Sequence, residues 1–152
     1  MSFINSFWLF LVATFFQKMI SSQIIKIASN NKFEGLKKIY THKASVKNST
    51  CGDTIKIELV ANKSKIKSMR YETDACILCE ASASLLANKI TNIPLKDIKK
   101  YFEGLQNIKK TKKFLFPEKL KEFNKLLNKK TLSRVNCVIL PIDALLKAIK
   151  IN

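Results

Sequence analysis

The sequence has few of the residues that mark several classes of protein. Glycine and proline occur three times each among 152 residues, which excludes a collagenous chain and argues against a long disordered one. The single histidine, His42, argues against a Cys/His zinc finger and a Cys–His nucleophile pair, and we interpret it as a surface or loop histidine. The remaining composition, 47% hydrophobic and 26% charged, indicates one globular domain.

Arginine and acidic residues are also scarce. Eleven Asp and Glu oppose 28 Lys and Arg, which leaves a formal net charge of +17, and only Arg70 and Arg134 are arginines. Such a charge suits nucleic acid, anionic lipid or acidic proteins, but nucleic-acid readers use arginine for bidentate base contacts. Lysine, isoleucine and asparagine, whose codons are A/T-rich, supply 56 of 152 positions. We therefore attribute the charge to genomic base composition and interpret the lysine-rich stretch 96–130 as a solvated helix face.

The amino-terminal segment differs from the rest of the chain. Residues 1–17 carry no formally charged side chain, and residues 7–16 are strongly apolar. This run is shorter than the roughly 20 residues of a transmembrane helix and lacks the basic leader of a signal peptide. We expect residues 1–18 to be an extension before the true start at Met19, with one domain over 19–152; a membrane-proximal anchor is the alternative. With no credible export signal, we expect a cytoplasmic protein without a membrane partner.

Hydrophobic periodicity predicts an α+β domain. Strict alternation over 54–60 predicts a half-buried strand with Ile55, Ile57 and Leu59 on one face and Lys56 and Glu58 on the other. A returning strand is expected over 65–72, with a bulge near Ser68 that would bring two apolar residues into phase. The stretch 36–45 is expected to be either irregular or a first strand. Helices are expected over 19–29 (capped by Ser21 or Ser22), 78–91, from Pro94 onward, 117–129 and 135–149, with a solvated loop over 109–113. The pattern indicates a small antiparallel sheet of about three strands, covered on one face by helices.

Three of the four cysteines fall at predicted element boundaries. Cys51 precedes the first clear strand, and Gly52 allows a sharp turn, so that Cys51 and Asp53 can point at one site. Cys76 begins a helix, and Cys137 lies at the start of the last one, where a helix N-terminus favours a thiolate; Pro141 is tolerable there if it falls in the first turn. Three thiolates and one carboxylate suit a tetrahedral zinc ion and equally an iron–sulfur cluster. A weak carboxylate ligand suits a site that must release its metal.

The fourth cysteine, Cys79, has a simpler interpretation. It lies three residues after Cys76 in an Ala/Ser-rich helix, and a free cysteine is often a small buried hydrophobe. The pair resembles a redox Cys-x-x-Cys motif only superficially, because no thioredoxin-like βαβ unit surrounds it.

Three ordered motifs resemble those of the NifU/IscU/SufU family of iron–sulfur cluster scaffolds. The first is Cys51-Gly52-Asp53 before the alternating strand. The second, at 71–84, reads YETDACILCEASAS, and the third, at 134–145, reads RVNCVILPIDAL. The resemblance covers roughly residues 19–150 and is closest to the SufU branch, because the interval between the last two motifs is long and Asn136 replaces the histidine of IscU proteins. Thr73 and Ala75 replace glycines of the family pattern.

The resemblance implies a SufE/NifU-like (IscU-like) fold and a function. It implies that Cys51, Asp53, Cys76 and Cys137 bind a [2Fe-2S] cluster or iron, or alternatively one zinc ion. It also implies a cysteine desulfurase (SufS/IscS-like) as sulfur donor, with recipient apo-proteins or other assembly proteins as further partners. By resemblance to SufU proteins the sulfur acceptor is Cys51, and by resemblance to IscU proteins it is Cys137.

Competing functions remain at this stage. The family resemblance favours a scaffold that accepts sulfur and builds or passes on a [2Fe-2S] cluster, which leaves open whether the chain is an enzyme. A zinc-dependent sulfurtransferase that relays sulfur is the alternative, and a degenerate member that only docks to assembly proteins is another. A basic zinc-containing nucleic-acid-binding module would need exposed aromatic residues for base stacking, whereas Phe114, Phe116 and Phe123 are spaced like core residues. We expect no nucleic-acid partner.

Overall fold

A three-stranded antiparallel sheet with helices on one face organises the chain. The computed structural model describes residues 6–11, 21–102, 108–111 and 115–150. The strands, in spatial order β1-β2-β3, are β1 (His42–Lys47), β2 (Thr54–Ala61) and β3 (Ile66–Asp74). The helices are α1 (6–11), α2 (Ser22–Ala28), α3 (Ile77–Lys89), α4 (Leu95–Phe102), α5 (Ile108–Thr111) and α6 (Val135–Lys150), with 3-10 helices at Glu118–Lys125 and Leu132–Arg134.

The hairpin of β2 and β3 follows the predicted pattern. Ile55, Ile57 and Leu59 are all buried, and the ladder shifts register between Val60 and Ala61. Val60 pairs with Ser68 and Ala61 pairs with Ile66, so the extra residue lies directly before Ser68. A bulge adds one residue and restores the phase of the inward side chains, which confirms the predicted position.

Helix α3 is the centre of the core. It packs against α2, α6 and β3, and its residues 81–87 are all buried. Alanine and serine side chains along this segment allow the neighbouring elements to approach closely on every side, so α3 does not need the single apolar stripe of a surface helix. The order of elements and the sheet confirm the predicted α+β fold.

Glu58 does not face the solvent as the alternation predicted. It is only 6% exposed, and its carboxylate accepts backbone N–H groups of Lys37 (2.9 Å) and Lys38 (3.0 Å). A buried carboxylate requires such partners. The prediction was wrong because the segment that carries Lys37 and Lys38 lies far away in sequence and covers this strand.

The carboxy-terminal third departs from prediction in three places. Pro141 is the seventh residue of α6 rather than part of its first turn, so the carbonyl of Cys137 loses the N–H that would normally bond to it. The helix expected over 117–129 is a 3-10 helix at Glu118–Lys125. The loop expected over 109–113 is partly helical, since α5 ends at Thr111.

Two sequence-based expectations concern residues outside the described part of the chain. The proposed start at Met19 lies outside it, as do residues 112–114, which include Phe114.

Ser21 does cap α2, because its side chain accepts the N–H of Ile24 at 3.4 Å. Phe116 and Phe123 are buried, and their rings stack with centroids 5.2 Å apart. Neither ring is therefore available for stacking on a nucleic-acid base. Among the described residues, no helix combines the length and apolar character needed to cross a bilayer.

Replacing Glu58 should destabilise the fold selectively. We expect Glu58→Gln to lower the free energy of unfolding by about 1–3 kcal/mol. The charge-assisted hydrogen bonds become neutral ones, and the amide NH2 group would face the Lys38 N–H that Oε1 now accepts at 3.2 Å. Urea unfolding followed by circular dichroism measures the change. The matched control is Glu72→Gln on the exposed part of β3, which should change stability little; equal losses for the two variants would contradict this role of Glu58.

Candidate metal centre

A closed turn before β2 places Cys51 and Asp53 together. Gly52 between them has φ of +76°, a left-handed conformation that glycine adopts at little cost. The Gly52 N–H donates to the carbonyl of Asn48 (2.8 Å), and the Asn48 N–H donates to the carbonyl of Asp53 (2.7 Å). The turn therefore leaves Cys51 exposed while Asp53 is buried and 8% exposed.

The register of the hairpin brings Cys76 to the same end of the sheet. Thr54 pairs with Asp74, so Asp53 and Cys76 lie just beyond the two paired ends. Cys76 is the N-cap of α3, with extended backbone angles and no side-chain hydrogen bond to the helix. Its half-buried thiol is thus left for contacts other than capping.

Helix α6 supplies Cys137 from a distant part of the sequence. The helix packs on α3 and on β1 and β2, and Ser82 Oγ of α3 donates a hydrogen bond to the carbonyl of Val138 at 2.5 Å. Cys137, one residue earlier, is buried. Desolvation and, after it, the neighbouring Cys76 thiol raise the pKa of Cys137, which places the two thiols close to each other.

Three of the four predicted ligands converge closely. Cys51 Sγ, a carboxylate oxygen of Asp53 and Cys137 Sγ all lie within 4.8 Å of one another. Sulfur ligands of a tetrahedral zinc ion with bonds of about 2.3 Å are separated by roughly 3.8 Å, so small side-chain movements would suffice for a shared ion. Cys76 is not within this group of three but adjoins it through Cys137.

The buried carboxylate of Asp53 fits a bound cation. Asp53 Oδ2 is buried, and it has no hydrogen-bond partner among the described residues. A buried acceptor without a partner costs free energy and calls for a physical explanation. A metal ion at this position would satisfy it, and the combination of thiol sulfur with one carboxylate oxygen is a donor set that zinc and iron both accept.

Burial opposes ionisation of two thiols. Desolvation, followed by the hydrogen bond to Cys76, raises the pKa of Cys137, and desolvation also raises the pKa of Cys79. The expectation that a helix N-terminus favours a Cys137 thiolate was therefore wrong for the protein without metal. Removal from water outweighs the helix dipole, and the preceding 3-10 helix Leu132–Arg134 runs directly into α6. A bound metal would reverse the balance, because it deprotonates a coordinating thiol.

The other two singled-out residues lie outside the group of three. Cys79 is fully buried, as predicted for a small core residue, and the charges of Cys76 and Asp53 contribute to its raised pKa, so it lies close behind the centre. His42 is not in a loop but in β1, where it is half-buried and its Nδ1 lies 2.8 Å from Thr41 Oγ1.

A groove beside the centre was not found from the sequence. It has a volume of about 280 Å³ and is lined by residues 46–50 and by Asn136, Ile139, Leu140 and Asp143. It therefore adjoins the turn of Cys51 on one side and the first turns of α6 on the other. Its walls come from two segments almost 90 residues apart, so no local motif could have indicated it.

Comparisons with known proteins find a matching family model and a matching relative. The family model for the NifU-like N terminal domain matches residues 19–150. The iron–sulfur cluster assembly scaffold protein IscU of Thermotoga maritima is 29% identical over 136 residues, which cover 89% of this chain and 95% of that protein.

Two solved structures have the same fold. The N-terminal NifU-like protein of Brucella abortus superposes with a TM-score of 0.78 at 17% identity, over 89% of this chain and 94% of that one. The SufU protein of Fervidobacterium islandicum, a scaffold protein for the SUF system by its description, gives 0.77 at 21% identity, over 88% and 98%. These likenesses support the α+β fold independently of the sequence patterns.

The four thiols should differ in reactivity in the protein without metal. We expect iodoacetamide near neutral pH to modify Cys51 first, because it is exposed, and Cys137 and Cys79 last, because burial keeps both thiols protonated. Mass spectrometry of timed digests measures the order. In concentrated urea the four rates should converge, and modification of Cys137 as fast as Cys51 in the folded protein would contradict the assigned burial.

Proposed function

Because this chain belongs to the NifU-like N-terminal domain family, which comprises iron–sulfur cluster assembly scaffolds, we propose that it accepts sulfur from a cysteine desulfurase and builds or passes on a [2Fe-2S] cluster. The cluster is the cargo of such a protein rather than a permanent cofactor. Recipient apo-proteins or other assembly proteins would take it from this chain.

One observation carries the proposal. Cys51, Asp53 and Cys137 converge within 4.8 Å, and the buried Asp53 Oδ2 lacks a partner among the described residues. We assign Cys51, Asp53, Cys76 and Cys137 as the ligands of the cargo. The three thiolates bind iron strongly, whereas the single carboxylate binds it more weakly and so favours later release.

Cys51 is the proposed sulfur acceptor. It is the exposed member of the group, whereas Cys137 is buried and its pKa is raised by desolvation. The Cys51 thiolate would attack the terminal sulfur of the desulfurase persulfide, forming a Cys51 persulfide as the desulfurase thiolate leaves. No net oxidation occurs in this exchange. The adjoining groove of about 280 Å³ gives the donor segment a place to enter beside Cys51.

The second candidate is a zinc-dependent sulfur relay. The same ligand set, three sulfurs and one oxygen, is one that tetrahedral zinc accepts, and the exposed Cys51 is the ligand best placed to leave the metal and react. In that case sulfur would pass through Cys51 without assembly of a cluster. The two functions share the site and differ in what it holds.

Metal and acid-labile sulfide content of the protein purified without oxygen tests the proposal. After incubation with a desulfurase, cysteine and ferrous iron, a scaffold should hold iron and sulfide in equal amounts and show a visible absorption band. One zinc ion per chain without sulfide, with sulfur transfer that Cys51→Ser abolishes, would instead support the relay. Neither metal nor sulfide, with no sulfur transfer, would overturn both.

Asp53→Ala should make a reconstituted cluster more persistent. Removing the weakest ligand of the four removes the preferred route for cluster release, although it also changes the charge of the centre. The iron and sulfide that remain on this chain after it is mixed with an apo-protein acceptor and separated from it measure the effect, and we expect slower loss than in the unmodified protein. The control is Asp97→Ala on α4; a cluster that decays as fast in Asp53→Ala as in the unmodified protein would count against the assignment.

A further inference from the structure

A second cavity, larger than the groove at the metal centre, lies beside β1. It has a volume of about 640 Å³, within the range typical of small-molecule sites, and contains none of the assigned metal ligands. Its walls are formed by segment 36–40, by β1 and β2, and by the end of α6. We call it the β1 cavity. Nothing in the proposed assembly function uses it.

The wall formed by segment 36–40 is held in a fixed conformation. Lys38 has φ of +58°, a left-handed conformation that is uncommon for a residue other than glycine. The Glu58 carboxylate maintains it by accepting the N–H groups of both Lys37 and Lys38. Arg70 adds a second attachment, because its guanidinium donates to the carbonyl of Gly35 at 2.7 Å. The cavity is therefore preformed, and strain of this kind is concentrated at functional sites.

The rim of the β1 cavity is strongly basic. It carries four exposed lysines, which are Lys38, Lys43, Lys56 and Lys147. Within the described part of the chain, none of them forms a salt bridge with a carboxylate. The one carboxylate in the lining, that of Glu58, accepts two backbone N–H groups and keeps its negative charge, so four lysines face a single carboxylate. Clustered cations around a concave surface raise the local concentration of anions.

The interior of the β1 cavity is apolar. Its apolar floor is the half-buried side chain of Leu36, which lies beside the ring of Tyr40, 41% exposed. Ile57 and Ala44 are paired residues of the buried face of the sheet, so their side chains do not form this floor. Lys43 Nζ lies 4.9 Å from the centre of that ring, so a positive charge and an aromatic surface stand side by side. A purely inorganic anion would use the rim and leave the floor and the ring unoccupied.

We propose that the β1 cavity binds an organic polyanion with an aromatic body, of the nucleotide class. Its phosphate groups would contact the lysine ammonium groups, which bind phosphate as point charges. Its aromatic base would contact Tyr40 and the apolar floor. An acidic protein segment would satisfy the lysines, but it would not need a cavity of this depth and apolar lining.

Calorimetric titration of the full chain with ATP, without divalent cations, tests the proposal. We expect saturable binding that is tighter for ATP than for inorganic tripolyphosphate, because only ATP can use the apolar floor. The double variant Lys43→Gln/Lys56→Gln should raise the ATP dissociation constant about tenfold. Tyr40→Ala should weaken ATP and leave tripolyphosphate unchanged. All three positions are exposed, so folding should persist and is checked by circular dichroism.

The matched control is Lys99→Gln/Lys100→Gln on α4, which removes the same charge from exposed positions outside the cavity. It should leave ATP binding within a factor of about two, since remote surface charges are screened by salt. The proposal would be overturned if this control weakened binding as much as the rim variant, or if tripolyphosphate bound as tightly as ATP. It would equally fail if ATP did not bind in the millimolar range, or if an acidic peptide bound in its place.

Discussion

The antiparallel register of β2 and β3 is the constraint on which the metal centre depends. Because Thr54 pairs with Asp74, the turn that carries Asp53 and the residue that caps α3 meet at one end of the sheet. A shift of one residue would send the side chains of β3 to the opposite faces and separate Asp53 from Cys76. The buried row of Ile55, Ile57 and Leu59 prevents such a shift, so the core stabilises the geometry of the site as well as the fold.

Burial gives the centre two properties that oppose each other when no metal is present. Among the residues that the structure describes, Asp53 Oδ2 has no hydrogen-bond partner, and burial raises the pKa of Cys137. The centre therefore places an unsatisfied acceptor beside a thiol that resists ionisation. A cation relieves both conditions at once, since it binds the oxygen and stabilises the thiolate. Burial does not affect Cys51 in this way, because its side chain is exposed to solvent. The site thus combines buried candidate ligands with one accessible sulfur, an arrangement that suits the proposed sulfur transfer.

The lysine content has two separate aspects. We attribute the number of lysines to base composition, but that interpretation does not explain why four of them surround one apolar cavity. The buried carboxylate of Glu58 is central to that placement, because it holds Lys38 in its left-handed conformation and contributes the one negative charge of the cavity lining. One residue therefore links the stability of segment 36–40 to the charge of the β1 cavity.

Local physical chemistry explains which features were predictable. The cap at Ser21, the alternation of β2 and the bulge before Ser68 each depend on residues close in sequence, and all three were predicted. The burial of Glu58 and the position of Pro141 inside α6 were not, because distant segments cover the first and tertiary packing offsets the lost hydrogen bond of the second.

The sequence by itself determined the β2–β3 hairpin, most of the helices, the family and the chemical types of the candidate ligands, since periodicity and each motif depend on residues close together in the chain. Only the tertiary structure decided that the Sγ atoms of Cys51 and Cys137, which are 86 residues apart in sequence, lie within 4.8 Å of each other. It also decided that Cys51 is exposed while Cys137 is buried. Solvent exposure and the proximity of distant residues depend on how α6 packs against the sheet and α3, and that packing is the sum of many weak contacts that no single motif encodes.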